Sequence, residues 1–438
     1  MEQIIKRHHI VIVGGGAGGL ELVTSLGNKL GRKHKADITL IDEELTHVWK
    51  PLLHEVAAGT VDSYEDNLDY LAQAHWHHFR FRLGRMDGLN RDKREVYLAP
   101  TLDNSGNEIV PRRIFSYDTL IMAVGSVSND FGIPGAREHC LFLDNRAQAD
   151  HFQDLLLQRY LHAQTQTAPV QEAQLTVAIV GGGATGVELA AELRHTARQL
   201  VAYGLDRINP ERDVKLVVIQ AGPRLLPELP EALSHAIEAQ LQQMGVAVHV
   251  NQRVERITAD GLYTQEGLYI PATTKVWAAG IKAPDFLAHL GLETNRINQL
   301  VVEPMLQTTL DKNIFAFGDC AACPQPDKTQ AVPPRAQAAH QQASLLTKAM
   351  TRRLKGKTLP RYIYKDYGSL ISLGRYSTLG NLMGNLTGSV MISGLFARLM
   401  YIALYKLHQR ALHGTLRVAL TSLANLLTRP TRPRLKLH

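Results

Sequence analysis

The sequence predicts an α/β protein with two Rossmann-like dinucleotide-binding domains and a C-terminal extension of amphipathic helices. Three observations carry this. Two glycine-rich turns of identical spacing each close a buried apolar strand, a second apolar strand follows each turn, and the last 72 residues contain no Asp or Glu.

The first turn lies in IVIVGGGAGG (10–19), with Gly14, Gly16 and Gly19 at GxGxxG spacing and Ala17 and Gly18 inside the motif. The second lies in VAIVGGGATG (177–186), with Gly181, Gly183 and Gly186. Between a strand and a helix, the first glycine permits the tight turn and the second lets backbone N–H groups approach a pyrophosphate. The third lets the helix pack against the strand, and the helix start offers unpaired N–H groups to the anion. Two such turns predict two dinucleotides.

The strand after the first turn is ADITLID (36–42). Its last residue, Asp42, follows Gly19 by 23 residues, near the spacing of an acid that binds ribose hydroxyls. The matching strand of the second unit, VKLVVIQ (214–220), ends in Gln220. That cofactor therefore lacks a carboxylate partner, and a charge that would repel a 2′-phosphate is missing, so tolerance of NADPH is expected.

A chain of 438 residues with 45% hydrophobic content has room for about three domains. Cys140, Cys320 and Cys323 are too few and too unevenly placed for a disulfide framework, which favours a reducing compartment. The start, MEQIIKRHH, leads straight into the first strand, so a cleavable signal peptide is not expected there.

Nine Lys and Arg residues lie in 367–438; removing them from the overall +7 leaves the body at −2. In that tail Phe396, Leu399, Met400, Ala403 and Leu407 share one helical face, and Leu416, Leu420, Leu423 and Leu427 another. Thr421, Ser422, Asn425 and Thr428 lie opposite the second stripe. Lys406 and Arg410 can keep their charges in a headgroup layer. An anionic lipid surface is the expected partner, ahead of packing on the body or a homodimer interface. Nucleic acid is not expected, because the basic residues alternate with Leu rather than with base-stacking aromatics. The uncharged run 376–397 is rich in Gly, Asn, Ser and Thr and is not expected to be a transmembrane helix.

Further segments carry a family resemblance. YDTLIMAVGS (117–126) and TKVWAAG (274–280) look like the strands that close two nucleotide domains, and IFAFGDCA (314–321) looks like the FAD-contacting motif of flavoprotein pyridine-nucleotide oxidoreductases. HVWKPLLHEVAAG (47–59), AGPRLLPELP (221–230), PPRAQAAHQ (333–341) and RPRLKLH (432–438) are similar to bacterial type II NADH:quinone oxidoreductases over nearly the whole chain.

The resemblance implies an FAD domain of residues 1–125 and 290–365, an NADH domain of 126–289, and a membrane-association region of 366–438. It implies that Gly14, Gly16, Ala17, Gly18, Gly19, Asp42, Lys50, Gly125 and Asp319 contact FAD, with His47 in the same flavin-proximal loop as Lys50. Gly181, Gly183, Gly186, Gln220 and Gly280 would hold NADH, Glu188 would lie near the nicotinamide and flavin rings, and Gln337 and Gln341 would border the quinone. Arg224 is a candidate for reaching a 2′-phosphate. The resemblance further implies one non-covalent FAD per chain, NADH as the substrate, a membrane quinone as the acceptor, and a peripheral location on the cytoplasmic face of the inner membrane. No metal is required. Cys320 and Cys323 form CxxC but lack the further ligands of a zinc or Fe–S site and are read as structural. The alternatives are a sulfide:quinone oxidoreductase, which needs cysteines near the flavin, and an NADH-binding membrane flavoprotein without turnover.

Overall fold

The computed structural model describes residues 7–61, 68–103, 105–326, 328–374, 377–384, 388–393, 403, 406, 409–412, 414–428 and 435. The elements that frame the site begin with β1 (His8–Val13), α1 (Ala17–Leu26), β2 (Ala36–Asp42), α2 (Leu53–Ala57), α3 (Tyr70–Trp76), β3 (Arg80–Leu83) and β4 (Thr119–Met122). The second unit contributes α4 (Arg146–Thr165), β5 (Thr176–Val180), α5 (Ala184–Ala202), β6 (Lys215–Ile219), β7 (Val246–His249) and β8 (Thr274–Trp277). The chain then adds β9 (Ile314–Ala316), α6 (Ala336–Arg353), β10 (Gly368–Leu373), β11 (Ser377–Gly384), β12 (Gly388–Ser393) and α7 (Thr415–Thr428).

Residues 10–13 of β1 and all of β5 are buried, as expected of strands covered on both faces of a parallel sheet. The first sheet runs β9–β4–β1–β2–β3 and the second β7–β6–β5–β8, every pairing parallel. Sheet growth reverses direction at β1 and at β5, so each glycine turn opens into the crevice at the carboxyl ends of its strands. The repeat goes further than the glycine turns. Each unit inserts a three-stranded antiparallel meander before its returning strand: Met86–Asn90, Glu95–Leu98 and Arg113–Ser116 in the first, Val254–Ile257, Gly261–Thr264 and Tyr269–Pro271 in the second.

The chain crosses between the units on two short strands, Val127–Ser128 and Ile281–Lys282, which pair antiparallel. Ala283, Leu287 and Leu290 already pack in the first core. The return therefore comes before the expected boundary at 290, because the crossing strands rather than the glycine motifs set it.

The two units are also stitched together. Leu53, Val56 and Ala57 of α2, a first-unit helix, are buried in the second core with Val187, Leu189, Ala190 and Ala191 of α5. Ile371, Leu373 and Leu379 join them from a three-stranded antiparallel sheet, β10–β11–β12. The region expected to serve membranes from residue 366 onward thus begins as sheet closing the second core, and most of the uncharged run 376–397 forms β11 and β12.

Beyond the sheet, α7 leaves Leu416, Leu420, Leu423 and Leu427 between 55% and 76% exposed. The helix is attached to the body where Arg417 lies 4.9 Å over the Trp76 ring, while Leu412 is buried in the first core and Leu435 in the second. Of the other expected stripe, Phe396, Leu399, Met400 and Leu407 lie outside the described residues, and Ala403 is exposed. No described helix is long and apolar enough to cross a membrane.

Candidate active site at the junction of the two nucleotide domains

The two glycine turns are built alike, position by position. Gly14 and Gly181 have φ of +100° and +114°, where a side chain would be strained, and a Cβ on either would press on the backbone at Ala123 or Ala278. Gly16 and Gly183 are the N-caps of α1 and α5, and nothing lies within 4 Å of where their Cβ would be. A Cβ on Gly19 or Gly186 would collide with the carbonyl of Gly14 or Gly181. The open middle glycines let a phosphate approach the helix start, and the packed outer ones force strand and helix close enough to form it. Gly18 belongs to a different contact: its Cβ position lies 2.7 Å from the Phe317 ring and 3.2 Å from the Cβ of Ala339, so it sets how closely α1 meets α6. Ala17 is half-buried at the first position of α1.

The strand-end residues also correspond. Asp42 accepts the Gly15 N–H at 2.5 Å and the Glu44 N–H at 2.9 Å; Gln220 accepts the Gly182 N–H through Oε1 at 3.0 Å. Burial pushes Asp42 up to about 6, against the pull of those two N–H groups. The carbonyl of Gly15 and that of its counterpart Gly182 are anchored in turn. The Gly15 oxygen accepts from the Tyr70 hydroxyl at 2.8 Å and lies 3.0 Å from His47 Nδ1, whereas the Gly182 oxygen accepts the Leu226 N–H at 2.8 Å. His47 is buried, which pushes it down to about 4, and it supports the first turn. Leu226 explains the segment 221–230: with φ +47° it folds the loop back over the second turn. Arg224, expected to be available to a 2′-phosphate, instead donates to the Leu226, Leu229 and Pro227 carbonyls at 3.5, 2.8 and 2.7 Å.

Around the end of β4, Lys50 donates to the Ser126 carbonyl at 2.6 Å, and the Ser126 hydroxyl donates to Asp319 at 2.9 Å. Burial raises the Asp319 carboxyl, opposed by that hydroxyl and by the Lys50 charge. Gly125 has φ +69° and open space at its Cβ position, whereas a Cβ on Gly280 (φ +65°) would strike the Phe131 ring. Gln342, which the sequence did not single out, is buried and accepts the Gly318 N–H at 2.8 Å, fixing the loop that carries Asp319.

Glu188 is the fifth residue of α5. It lies past the first turn, where the helix dipole would have favoured its charge. Its environment does the opposite: burial pushes it up to about 8, the Ser372 N–H donating at 2.9 Å pulls down, and Glu55 and Glu192 add to the rise. His54 Nε2 lies 3.8 Å from the other Glu188 oxygen and 3.9 Å from Glu55. A first-unit helix, a second-unit helix and the C-terminal sheet therefore converge on one carboxyl group. His54 escaped sequence reasoning although it lies inside a segment that carried the resemblance; only the docking of α2 on α5 gives it meaning.

Gln337 and Gln341, expected at the quinone, both clasp the chain entering β10. Gln337 donates to Asp366 Oδ1 at 3.2 Å and the Gly368 carbonyl at 3.1 Å and accepts the Tyr367 N–H at 3.1 Å. Gln341 donates to the Lys365 carbonyl at 2.7 Å and accepts its N–H at 3.1 Å. The three cysteines are free and buried, and burial pushes each thiol up to about 12.

Residues 8–343 match the family described as pyridine nucleotide-disulphide oxidoreductase. A type II NADH:quinone oxidoreductase of Haemophilus influenzae is 44% identical over 98% of this chain and all of its own length. Another from Staphylococcus aureus is 28% identical over 86% of this chain and 90% of its own. Among solved structures, that of NDH2 from Plasmodium falciparum in complex with NADH has a TM-score of 0.82 at 18% identity, covering 98% of this chain and 100% of that one, a likeness of fold.

Proposed function

The chain belongs to the type II NADH:quinone oxidoreductases within the pyridine nucleotide-disulphide oxidoreductase family, and from this premise we propose how its residues divide the work. The protein transfers electrons from NADH to a quinone by way of FAD. When bound, FAD supplies a two-electron acceptor and donor that links the two substrates.

In our reading the first glycine turn, with Asp42 at the neighbouring strand end, holds the FAD pyrophosphate and ribose, while Lys50, Gly125 and Asp319 border the rest of that cofactor. The second turn, with Gln220 and Gly280, holds NADH. The observation that carries this division is the pair of open helix starts at Gly16 and Gly183, each a cradle that a Cβ would fill. Glu188 is the acid at the junction. Kept protonated at neutral pH by burial, it can give a proton to a quinone oxygen as that oxygen gains electron density. Gln337 and Gln341 serve the quinone by position: their amides are spent on residues 365–368, so they fix the start of β10, whose Ser372 N–H holds Glu188.

The exposed Leu stripe of α7 and the acid-free tail support attachment to an anionic membrane surface from the cytoplasmic side. A sulfide:quinone chemistry is disfavoured, because it needs thiolates and burial holds all three thiols protonated. The testing experiment is an anaerobic titration of the yellow protein. One equivalent of NADH should bleach the flavin absorbance and one equivalent of a soluble quinone should restore it; colour that NADH removes but quinone does not return would refute the reading.

A further inference from the structure

Among the described residues, His54 Nε2 is buried with no hydrogen-bond partner, although its side chain is only 3% exposed. Leaving such an atom unpaired is costly, so it calls for an explanation. The other ring nitrogen is directed to the backbone at Pro51, which leaves Nε2 as the lone-pair side of a neutral imidazole. Two carboxyl groups lie near that nitrogen, Glu188 at 3.8 Å on α5 and Glu55 at 3.9 Å on its own helix. Glu188 is 10% exposed at the side chain and Glu55 20%, so Glu55 is the carboxyl more open to solvent and His54, at 3%, is the most buried of the three.

We propose that His54 is a relay residue that acts through Glu188, returning to it the proton that Glu188 gives to the quinone. The proposal rests on the reading of Glu188 as the junction acid. The step balances as follows. Glu188 loses its proton to a quinone oxygen and becomes a carboxylate; the Glu55 carboxylate takes a proton from solvent and passes it to His54 Nε2, which becomes imidazolium. Nε2 then gives that proton to the Glu188 carboxylate and returns to neutral, so one solvent proton has replaced the one given to the quinone and Glu55 ends as it began. The electrons come from NADH in the established reaction. One nitrogen serves both transfers because an oxygen of each carboxyl lies within 4 Å of it, and a shift of about 1 Å at either contact makes a hydrogen bond. The fresh charge on Glu188 is what draws the proton onto an imidazole that burial otherwise holds neutral, at about 4.

The surrounding elements fit this role. α5 presents Glu188 and, one turn on, Glu192, whose carboxylate lies beside Gly374. β10 presents the Ser372 backbone N–H. α4 presents Gln153 and Leu156 beside Ala58, neither of which titrates. The Thr196 hydroxyl closes the seam by donating to the Ala58 carbonyl at 2.7 Å.

The test combines kinetics with infrared spectroscopy of the flavin-loaded protein. The carboxylic C=O stretch of Glu188, identified by its loss in Glu188→Gln, should shift in His54→Gln, because its hydrogen-bond partner has changed. In stopped flow with excess NADH and quinone, so that Glu188 must be recharged between turnovers, His54→Gln should slow reoxidation by quinone about 100-fold after the first turnover, the scale of a general acid–base contribution. The slowing should deepen as pH rises, while bleaching by NADH keeps its rate. His54→Asn provides a second side chain that cannot carry the proton, and retained flavin absorbance checks folding. A band and a reoxidation rate unchanged in both His54 variants, with Glu188→Gln slow, would overturn the relay and leave the Glu188 reading standing. A normal rate in Glu188→Gln would overturn both. Equal slowing of both half-reactions in the His54 variants would make His54 structural.

Discussion

Glu188 takes its properties from burial rather than from the helix that carries it, and this has a sign. Its folded-state value of about 8 lies above the ordinary 4.5, so between those pH values the folded chain holds a proton that the unfolded chain has released. Its contribution to stability is therefore present in full below pH 4.5 and is lost as pH rises toward 8, by up to about 1.4 kcal/mol per unit. Glu188→Gln removes this dependence. Its thermal midpoint relative to the parent should climb between about pH 5 and about pH 8, and parallel curves would show that Glu188 ionises freely. His54 and His47 act in the other direction: held near 4 against 6.5, they cost stability as pH falls through that window.

Gln220 allows a second residue-scale test. Its Oε1 accepts the Gly182 N–H as Asp42 accepts that of Gly15, so Gln220→Glu keeps the contact and adds a charge at the strand end. The kcat/KM preference for NADH over NADPH should rise by about 1–3 kcal/mol, the scale of a hydrogen bond to a charged group. An unchanged ratio would place the ribose elsewhere. Arg224 will not offset the change, being tied to three carbonyls of its own loop.

At the scale of elements, the glycine turns were legible because their demands are local: a positive φ, an open helix start and a close approach can each be read from residue type and spacing. The strand-end residues followed from the same frame. The contact of His54 with Glu188 was not legible, since it requires a helix of one unit to be buried in the core of the other. The roles of Gln337 and Gln341 were half legible; one helical face was readable from their spacing of four, but not that the face meets the backbone of 365–368. The tail divided in the same way. Its lack of acids and its second Leu stripe were plain, whereas the sheet at its start was hidden in an uncharged run with weak alternation. This changes how membrane binding should be tested. Truncation after Gly394 would remove Leu412 and Leu435, which belong to the two cores. Replacing Leu416, Leu420, Leu423 and Leu427 by Ser touches only exposed positions. The flavin domains should stay folded and binding to anionic vesicles should fall by more than about tenfold; full retention on vesicles would assign the stripe to something other than lipid.

For the whole molecule, the architecture is one unit used twice and then locked together. Each copy has its own parallel sheet, glycine turn and meander, and a shared seam of α2, α5 and β10 places acid–base groups between them. The central claim is that the copies serve different nucleotides, and Gly186→Ala tests it most directly, because the new Cβ collides with the Gly181 carbonyl and deforms the second turn only. In double-mixing stopped flow, this variant should retain FAD and lose bleaching by NADH, yet after reduction with dithionite it should still be reoxidised by quinone. A variant that loses its flavin, or that NADH bleaches at the parent rate, would contradict the division of the two turns.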